Sequence, residues 1–312
     1  YHASDVSVIG FSHTHLSGTG IGDLFDITLM PVVGSVTYAR GDGEDYASGM
    51  WSNADRSKEV AKVGYYSVPL ERYGILAEMT ATSRVGYHRY TFPESEESAI
   101  VIDLQNGGCW DRVSESKMRV EGNNRIYGYR YSNGWASDQK VFFVAEFSKP
   151  FDNFAIMNDH YGRLSFSTKE GEQIMVKVAI SPVSEDGARE NMAKEMPSWP
   201  SLEKVARNAE QAWEKELGKV KIQSESETVK RIFYTALYHT MIAPSEFCDV
   251  NGQYRGADGQ VHENPGHTSY TTYSLWDTYR AQMPLLSILH PEKMTGIINT
   301  MLNIFDEQGR LP

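Results

Sequence analysis

Apolar and polar residues alternate in short runs over most of residues 1–196, and turn residues separate the runs. This period of two is typical of strands that bury one face. The runs are Gly64–Leu70, Gly74–Thr82, Val85–Phe92, Ala99–Leu104, Lys117–Arg130, Val141–Phe147, Arg163–Ser167 and Gln173–Ile180. No convincing helical period occurs among them. The pattern therefore predicts an antiparallel β-sandwich domain over residues 1–196.

The hydrophobic period lengthens after Pro197, which predicts a linker helix over residues 197–221 that packs along the sandwich. Its apolar side consists of Leu202, Val205, Ala206, Ala209, Ala212, Trp213 and Leu217. Ser224 and Glu227 have the spacing of a capping box, so we expect a second helix to begin at this point and to stop at Pro244. Its apolar face consists of Val229, Ile232, Phe233, Ala236, Leu237 and Met241.

A third helical pattern follows Ser274, which we expect to cap it. Trp276, Tyr279, Met283 and Leu286 recur at helical spacing and predict one stripe that faces a core. Between these helices, residues 249–260 carry two turn dipeptides and predict a hairpin, because they lack the ligand spacing of an EF-hand.

Pro291 opens a last helix, whose inward residues we expect to be Met294, Ile297, Ile298, Met301, Leu302 and Phe305. These few helices cannot bury the apolar faces described above. We therefore expect further protein or a partner to cover those faces.

Composition narrows the range of partners. The chain has 312 residues, of which 40% are hydrophobic and 12% aromatic, and its net charge is −11. Such an acidic protein is a poor partner for nucleic acid or an anionic membrane, and no apolar run approaches the roughly 20 residues of a membrane span. The two cysteines, Cys109 and Cys248, lie too far apart to indicate a zinc site or a disulfide framework.

The turn around Trp276 carries the strongest candidate chemistry. An indole, the Asp277 carboxylate and the Arg280 guanidinium on one rigid turn predict a sugar subsite, because sugars stack their C–H faces on rings and pair their hydroxyls with charged groups. Three tyrosines flank this turn, namely Tyr270, Tyr273 and Tyr279. The alternative is structural: Asp277 and Arg280 form a surface ion pair, and Trp276 belongs to the core.

The glycine-rich stretch from Gly10 to Gly20 is the second candidate. His13 and His15 are two residues apart, so on an extended segment their side chains face the same side. Ser17, Gly18, Thr19 and Gly20 would add a loop with free N–H groups. Three interpretations stay open: a turn with locally bonded histidines, a contact with sugar, or a metal site, although no third ligand has a recognisable spacing.

Other residues are weaker candidates. Carboxylates that could cleave a glycoside as a pair are Asp5, Asp23, Asp26, Asp103, Asp111 and those between Asp249 and Glu263. Trp51 and Trp110 could be sugar platforms or buried loop anchors. The chain has no GxSxG elbow, which disfavours an esterase, and no dinucleotide or phosphate-binding fingerprint.

Several strings resemble glycoside hydrolase family ninety-two, the calcium-dependent exo-acting α-mannosidases. They are GFSHTHLSGTG at Gly10–Gly20, KEVAKVGYYSV at Lys58–Val68, RVGYHRYTFP at Arg84–Pro93, LYHTMIAPSEFCDVNGQYRG at Leu237–Gly256, YSLWDTYRAQMPLL at Tyr273–Leu286 and the closing GRLP. The resemblance implies an N-terminal β-sandwich, a helical linker, and an (α/α)6 barrel that begins within residues 222–312, with the active site between sandwich and barrel.

The resemblance also implies the roles of particular residues. Trp276 and Asp277 match residues that hold the terminal mannose, with Arg280 supporting Asp277, while His13 and His15 lie on a loop that the sandwich lends to the site. The motifs of the catalytic acid, the base and the calcium surroundings are absent from these residues. We therefore assign no catalytic or metal-binding residue and expect them in a later part of the same polypeptide.

The resemblance implies the inverting hydrolysis of terminal α-mannose from glycans, assisted by Ca²⁺. It also implies a bacterial enzyme located outside the cytoplasm, either periplasmic or secreted. Two other hypotheses stay open. One is a non-catalytic carbohydrate-binding or structural module. The other is a glucoamylase-like hydrolase or a disaccharide phosphorylase with the same sandwich-plus-barrel plan.

Overall fold

The structure is a computed structural model that describes residues 5–16, 24–108, 110–263 and 265–312. The chain divides into two compact units: of the described residues, the first contains 5–15 and 24–210, and the second contains Leu16 and 211–312. Among the helices of the described ranges, none is both long and apolar enough to cross a membrane.

The strands of the first unit are β1 (Ser7–Val8), β2 (Thr28–Val33), β3 (Ser52–Asn53), β4 (Val60–Lys62), β5 (Tyr65–Leu70), β6 (Ile75–Ala81), β7 (Val85–Phe92), β8 (Ser95–Asp103), β9 (Arg112–Glu121), β10 (Arg125–Asn133), β11 (Gln139–Phe147), β12 (Asn153–Met157), β13 (Tyr161–Thr168) and β14 (Glu172–Ser181). Two helices follow them in this unit, α1 (Glu185–Glu195) and the first part of α2 (Leu202–Leu217).

Two antiparallel sheets enclose the main core of this unit. One has eight strands in the order β4-β5-β6-β7-β14-β11-β10-β9, and the other has four in the order β12-β13-β8-β2. Residues of both sheets, such as Phe143 and Val176 from the first and Ile100 and Leu164 from the second, belong to one buried cluster. The side chains interdigitate as in other sandwiches.

The other face of the eight-stranded sheet carries a second core. Tyr87 and Tyr127 of the sheet pack there with Met192 of α1 and with Leu202 and Val205 of α2. The first part of α2 therefore packs on this face of the sheet. We did not predict α1, since its buried residues, Gly187, Ala188, Asn191 and Met192, give almost no hydrophobic stripe.

The prediction of a single run over Lys117–Arg130 was wrong. This stretch contains the end of β9 and the start of β10, which pair as a hairpin around Gly122. Gly122 has a φ of 67°, a conformation that glycine adopts readily and that turns the chain here.

The second unit contains the rest of α2 and the helices α3 (Glu227–His239), α4 (Leu275–Thr278), α5 (Gln282–Leu289) and α6 (Pro291–Gln308). Its short strands are β15 (Ser245–Glu246), β16 (Tyr254–Arg255), β17 (Val261–His262) and β18 (Tyr270–Thr271). The predicted hairpin is present as β16 paired with β17, and β15 pairs with β18.

Two predicted helix caps differ from the structure. The cap of α3 is Ser226, whose side chain accepts from the N–H of Val229 at 3.3 Å, while Ser224 bonds to Ser226 instead. Ser274 precedes α4 but makes no side-chain cap bond.

The predicted continuous helix from Ser274 to Leu286 is broken between Thr278 and Gln282. Pro284 explains the break, because within one helix it would lack the N–H to bond to Arg280 and its ring would clash with that carbonyl. In α5 the proline lies in the first turn, where the N–H needs no partner. Leu286 is buried, but Trp276 and Tyr279 are exposed, so the predicted core stripe was wrong.

Half of the predicted inward residues of α3 and α6 are exposed. Exposed apolar side chains on these two helices are Val229, Ile232, Ile298, Leu302 and Phe305. On α6 the buried residues are Gly296, Ile297 and Thr300. Small residues allow the chain around Tyr270 to approach this face, where a Cβ on Gly296 would lie 3.1 Å from the Tyr270 ring.

The predicted fold class, an antiparallel β-sandwich followed by helices, is confirmed. The completion of those helices into an (α/α)6 barrel stays a prediction, as does the division at residues 196 and 221.

Candidate functional site

The exposed turn that carries Trp276 is the first part of the candidate site. Trp276 is 82% exposed, which is the largest exposure among the large hydrophobic side chains of the described residues. Asp277 and Arg280 are exposed as well. An exposed indole beside a carboxylate and a guanidinium offers the mixture of apolar and charged groups that a sugar can contact.

Hydrogen bonds fix the charged groups of this turn. The hydroxyl of Ser274 donates to Oδ2 of Asp277 at 2.5 Å. Nε of Arg280 donates to the hydroxyl of Tyr279 at 2.7 Å, and its guanidinium lies 5.3 Å from the centre of that ring. Within the described part of the chain, Asp277 and Arg280 form no ion pair with each other. Ser274 is therefore the partner that holds Asp277 in this turn, and the support of Asp277 by Arg280 stays a prediction.

Tyr270 and Tyr273 anchor this turn instead of flanking it as exposed rings. Tyr270 is buried, and its N–H donates to Oγ1 of Thr300 at 3.2 Å. The hydroxyl of Tyr273 donates to the carbonyl of Ile297 at 3.1 Å, and burial raises the pKa of Tyr273, which keeps that proton in place. Of the three predicted tyrosines, only Tyr279 stays open to solvent.

The backbone between the two anchors is strained. Thr272 has a φ of 67°, in the left-handed region that β-branched residues disfavour. The strain costs on the order of 1–2 kcal/mol, and such a conformation persists only where surrounding contacts hold it.

His13 and His15 lie in the first unit. Their side chains have different surroundings, whereas the sequence predicted that they face the same side. The His13 ring is partly buried and contacts His88, whereas His15 is exposed and bonds to Ser12 at 3.0 Å. Within residues 10–16, which the structure describes, the bridges are isolated ones, Phe11 to Leu29 and His15 to Leu24, so the regular alternation of a strand does not apply. Ser17, Gly18, Thr19, Gly20 and Asp23 lie outside the described residues.

A directed hydrogen-bond chain links His13 to His88 and Tyr90. Nδ1 of His13 lies 2.6 Å from the carbonyl of Ile27, which can only accept, so His13 carries its proton on Nδ1. Nε2 of His88 therefore donates to Nε2 of His13 at 3.0 Å, and the Tyr90 hydroxyl donates to Nδ1 of His88 at 3.0 Å. Both imidazoles are neutral in this arrangement.

Burial keeps these histidines neutral. It lowers the pKa of His13 to about 4 and the pKa of His88 well below its ordinary value. Gly86 makes room for the pair, since a Cβ at this position would lie 2.7 Å from the His13 ring. We did not predict that His88 would be the partner of His13, although alternation in β7 places Gly86, His88 and Tyr90 on one face.

A buried ion network lies beneath the segment that carries His13 and His15, and we did not predict it. Arg130 is completely buried and donates to Asp26 at 2.6 Å, to the carbonyl of Leu104 at 2.9 Å, and to Asp111. The hydroxyl of Thr14, between the two histidines, donates to Asp26 at 2.7 Å. A buried guanidinium needs such partners. Asp26 and Asp111 are therefore structural.

The remaining weak candidates divide into anchors and surface residues. Trp51 is buried and donates to the carbonyl of Asp45, while Trp110 is 49% exposed. Asp103 is buried and accepts from the N–H groups of Gln105 and Asn106. Two further buried residues are Asp249 and Cys248; Asp5 is exposed, and Cys109 lies outside the described residues.

Two groups of described residues have metal-ligand chemistry. In the first, Glu216, His290 and Glu292 surround the ammonium of Lys219, which lies 2.9 Å from His290 and 3.0 Å from each glutamate. A cation therefore already balances these carboxylates.

In the second group, His262 lies 3.1 Å from both oxygens of Asp258, and Glu307 accepts from the Tyr254 hydroxyl at 2.7 Å. Calcium takes about six to eight oxygen ligands. Neither group fits that ion.

Family models match nearly the whole chain. The glycosyl hydrolase family 92 N-terminal domain matches residues 1–181, and the glycosyl hydrolase family 92 catalytic domain matches residues 187–312. An uncharacterized secreted glycosidase of Arthroderma benhamiae is 27% identical over 318 residues, which cover 88% of this chain and 39% of that protein.

Two solved structures from Bacteroides thetaiotaomicron are also similar. A family 92 α-mannosidase is 37% identical, with a TM-score of 0.94, and the match covers 100% of this chain and 45% of that one. A family 92 inverting mannosidase is 27% identical, with a TM-score of 0.87 over 100% of this chain and 43% of that one. The chain thus spans less than half the length of these relatives.

Proposed function

We propose, from the premise that the chain belongs to glycosyl hydrolase family 92, that the full-length protein is a glycosidase releasing terminal α-linked mannose from glycans. The observation that carries this proposal is the Trp276 indole, 82% exposed on a turn that also presents Asp277 and Arg280. The likeness of the whole chain to an α-mannosidase of the same family supports the choice of sugar.

Each residue of the turn supplies one kind of sugar contact. The indole of Trp276 stacks on the C–H face of the pyranose. Asp277 bonds to Ser274 through Oδ2 and accepts hydrogen bonds from sugar hydroxyls with its remaining lone pairs. Arg280 bonds to Tyr279 through Nε and donates to sugar hydroxyls from its other guanidinium nitrogens. The turn orients the sugar without transferring a proton, which lowers the barrier by positioning.

Hydrolysis in the proposal is a single displacement with inversion, in which one carboxylic acid protonates the leaving oxygen and one carboxylate activates water. A relative named as an inverting mannosidase supports this stereochemistry. The acid and the base are not assigned to residues of this chain. In the proposal, sugar hydroxyls are ligands of a Ca²⁺ ion, and no residue of this chain is assigned to hold that ion.

The proposal places the enzyme outside the cytoplasm, in the periplasm or secreted from a bacterium, where glycans are accessible. One relative is named as a secreted glycosidase, which supports an extracytoplasmic location.

The test is mannose release from α-linked mannobioses by the full-length protein. We expect Trp276→Ala and Asp277→Asn each to lower kcat/KM by about tenfold to a hundredfold, because each removes a contact that orients the sugar. Trp135→Ala is the matched control, since Trp135 is also exposed, at 65%, but belongs to a hairpin of the sandwich. Removing calcium with a chelator should abolish release, and adding it back should restore release.

Other outcomes decide between the remaining hypotheses. Mannose binding without release from any linkage would support a non-catalytic module. Cleavage of α-glucosides would indicate a glucoamylase-like enzyme, and cleavage only with phosphate would indicate a phosphorylase.

A further inference from the structure

The helix that presents the candidate subsite cannot hold its own orientation. α4 has four residues, none of them buried, and no side chain caps it. An isolated helical turn of this length is unstable in water, because fixing its backbone dihedrals costs more than its few hydrogen bonds return. The position of Trp276 and Asp277 must therefore be set by residues outside α4.

Hydrogen bonds on both sides of α4 supply this support. Before it, the hydroxyl of Tyr273 donates to the carbonyl of Ile297 in α6 at 3.1 Å. After it, Nε2 of Gln282 donates to the carbonyls of Thr240 and Ala243, at 2.9 and 2.6 Å. Both residues belong to the same compact unit as their partners.

The strain at Thr272 makes these contacts more important. Thr272 immediately precedes Tyr273 and has a φ of 67°. A β-branched residue relaxes out of this region when its surroundings permit it. The bond from Tyr273 to α6 opposes that relaxation, and its loss would allow α4 to move.

We infer that Tyr273 and Gln282 are positioning residues that clamp α4 and thereby orient Trp276 and Asp277 toward the sugar. The inference rests on the proposed function of these two residues as a mannose subsite. The clamp acts through α4, and neither Tyr273 nor Gln282 is proposed to contact the sugar.

The decisive variant is Tyr273→Phe in the full-length protein, because it removes one hydroxyl and keeps the buried ring. We expect mannose affinity and kcat/KM on mannobiose to fall about threefold to tenfold, as for the loss of one hydrogen bond. The amides of Thr278 and Tyr279, which bond to Ser274 and Leu275, should exchange hydrogen faster. Gln282→Met, which removes both donated bonds, should have the same effects.

Tyr254→Phe is the matched control. Its hydroxyl also donates to α6, to Glu307 at 2.7 Å, but Tyr254 lies in the hairpin of β16 and β17, which does not lead to α4. We expect this variant to lose comparable thermal stability and to keep mannose affinity and α4 amide exchange within about twofold of the wild type. Equal changes in the two tyrosine variants would show a general structural role and overturn the clamp.

Two further results separate this inference from the proposed function. If the wild type binds mannose and Trp276→Ala loses it, while Tyr273→Phe leaves binding and exchange unchanged, only the clamp is wrong. If the wild type neither binds nor cleaves mannosides, the proposed function and the sugar-orienting role of the clamp both fail.

Discussion

Thr272 shows how a single residue can be held against its own preference. Its φ of 67° is unfavourable for a β-branched side chain, yet the contacts of Tyr270 and Tyr273 with α6 hold it there. Natural proteins tolerate such strain chiefly near functional sites. Its position four residues before Trp276 agrees with the candidate subsite.

Replacing Thr272 by glycine should therefore stabilise the protein. Relief of the left-handed conformation contributes about 1–2 kcal/mol, and the greater freedom of glycine in the unfolded chain subtracts about 0.5–1 kcal/mol. We expect a net gain of about 0.5–1 kcal/mol in the free energy of unfolding, measured by urea denaturation. Thr271→Gly is the control, because Thr271 lies in β18 and should lose stability; a loss of equal size in both variants would argue against strain.

At the scale of elements, α1 shows why a helix can be present without a visible stripe. It begins after Ser184, whose side chain accepts from the N–H of Gly187 at 3.0 Å. Its contacts with the eight-stranded sheet use small or polar residues such as Ala188 and Asn191. Its start is therefore encoded by a cap, while its burial depends on the sheet beneath it.

Loss of this cap should weaken the first unit. We expect Ser184→Ala to lower the free energy of unfolding by about 1 kcal/mol, because one N–H of the first turn loses its acceptor. Ser184→Asp keeps an acceptor at the N-terminus of the helix and should retain nearly full stability. Thermal unfolding of the two variants measures the difference, and equal losses would contradict a capping role.

At the scale of the whole molecule, the most consequential feature is the number of charged and titratable groups inside the sandwich. Arg130 with Asp26 and Asp111 forms a buried ion network, and His13 with His88 forms a neutral pair beside it. Each group depends on partners far away in sequence. Changes of pH therefore act on the folding of the first unit as a whole.

Acid should destabilise the protein through the histidine pair. His13 has an ordinary pKa of 6.5 that burial lowers to about 4, so between these values the unfolded chain takes up a proton that the folded one does not. The stability that depends on neutral His13 is complete above pH 6.5 and falls as the pH decreases toward 4, and the loss is on the order of 3 kcal/mol. Urea unfolding at several pH values measures this loss.

His13→Gln should flatten this pH dependence, because glutamine does not titrate. His239→Gln is the control, since His239 is an exposed residue of α3. An unchanged slope in the His13 variant would show that other groups cause the acid sensitivity.

Features that local physics encodes could be predicted from the sequence. Alternation predicted most strands of the two large sheets, helical spacing predicted α2, α3 and α6, and Pro291 marked the start of α6. Six strings taken together, among them those around His13 and Trp276, indicated the family, and the family models bear out that recognition. The proposed roles of Trp276, Asp277, Arg280, His13 and His15 stay predictions.

Only the tertiary structure decided which side chains meet and which stay open. Periodicity placed Trp276 in a core, and the candidate subsite included Tyr273 as a flanking ring, yet the first is exposed and the second is anchored to α6. His13 bonds to His88, 75 residues away, through a pairing that no local pattern specifies. The physical reason is that burial and hydrogen-bond partners depend on which elements pack together, whereas periodicity reports only the face on which a residue lies.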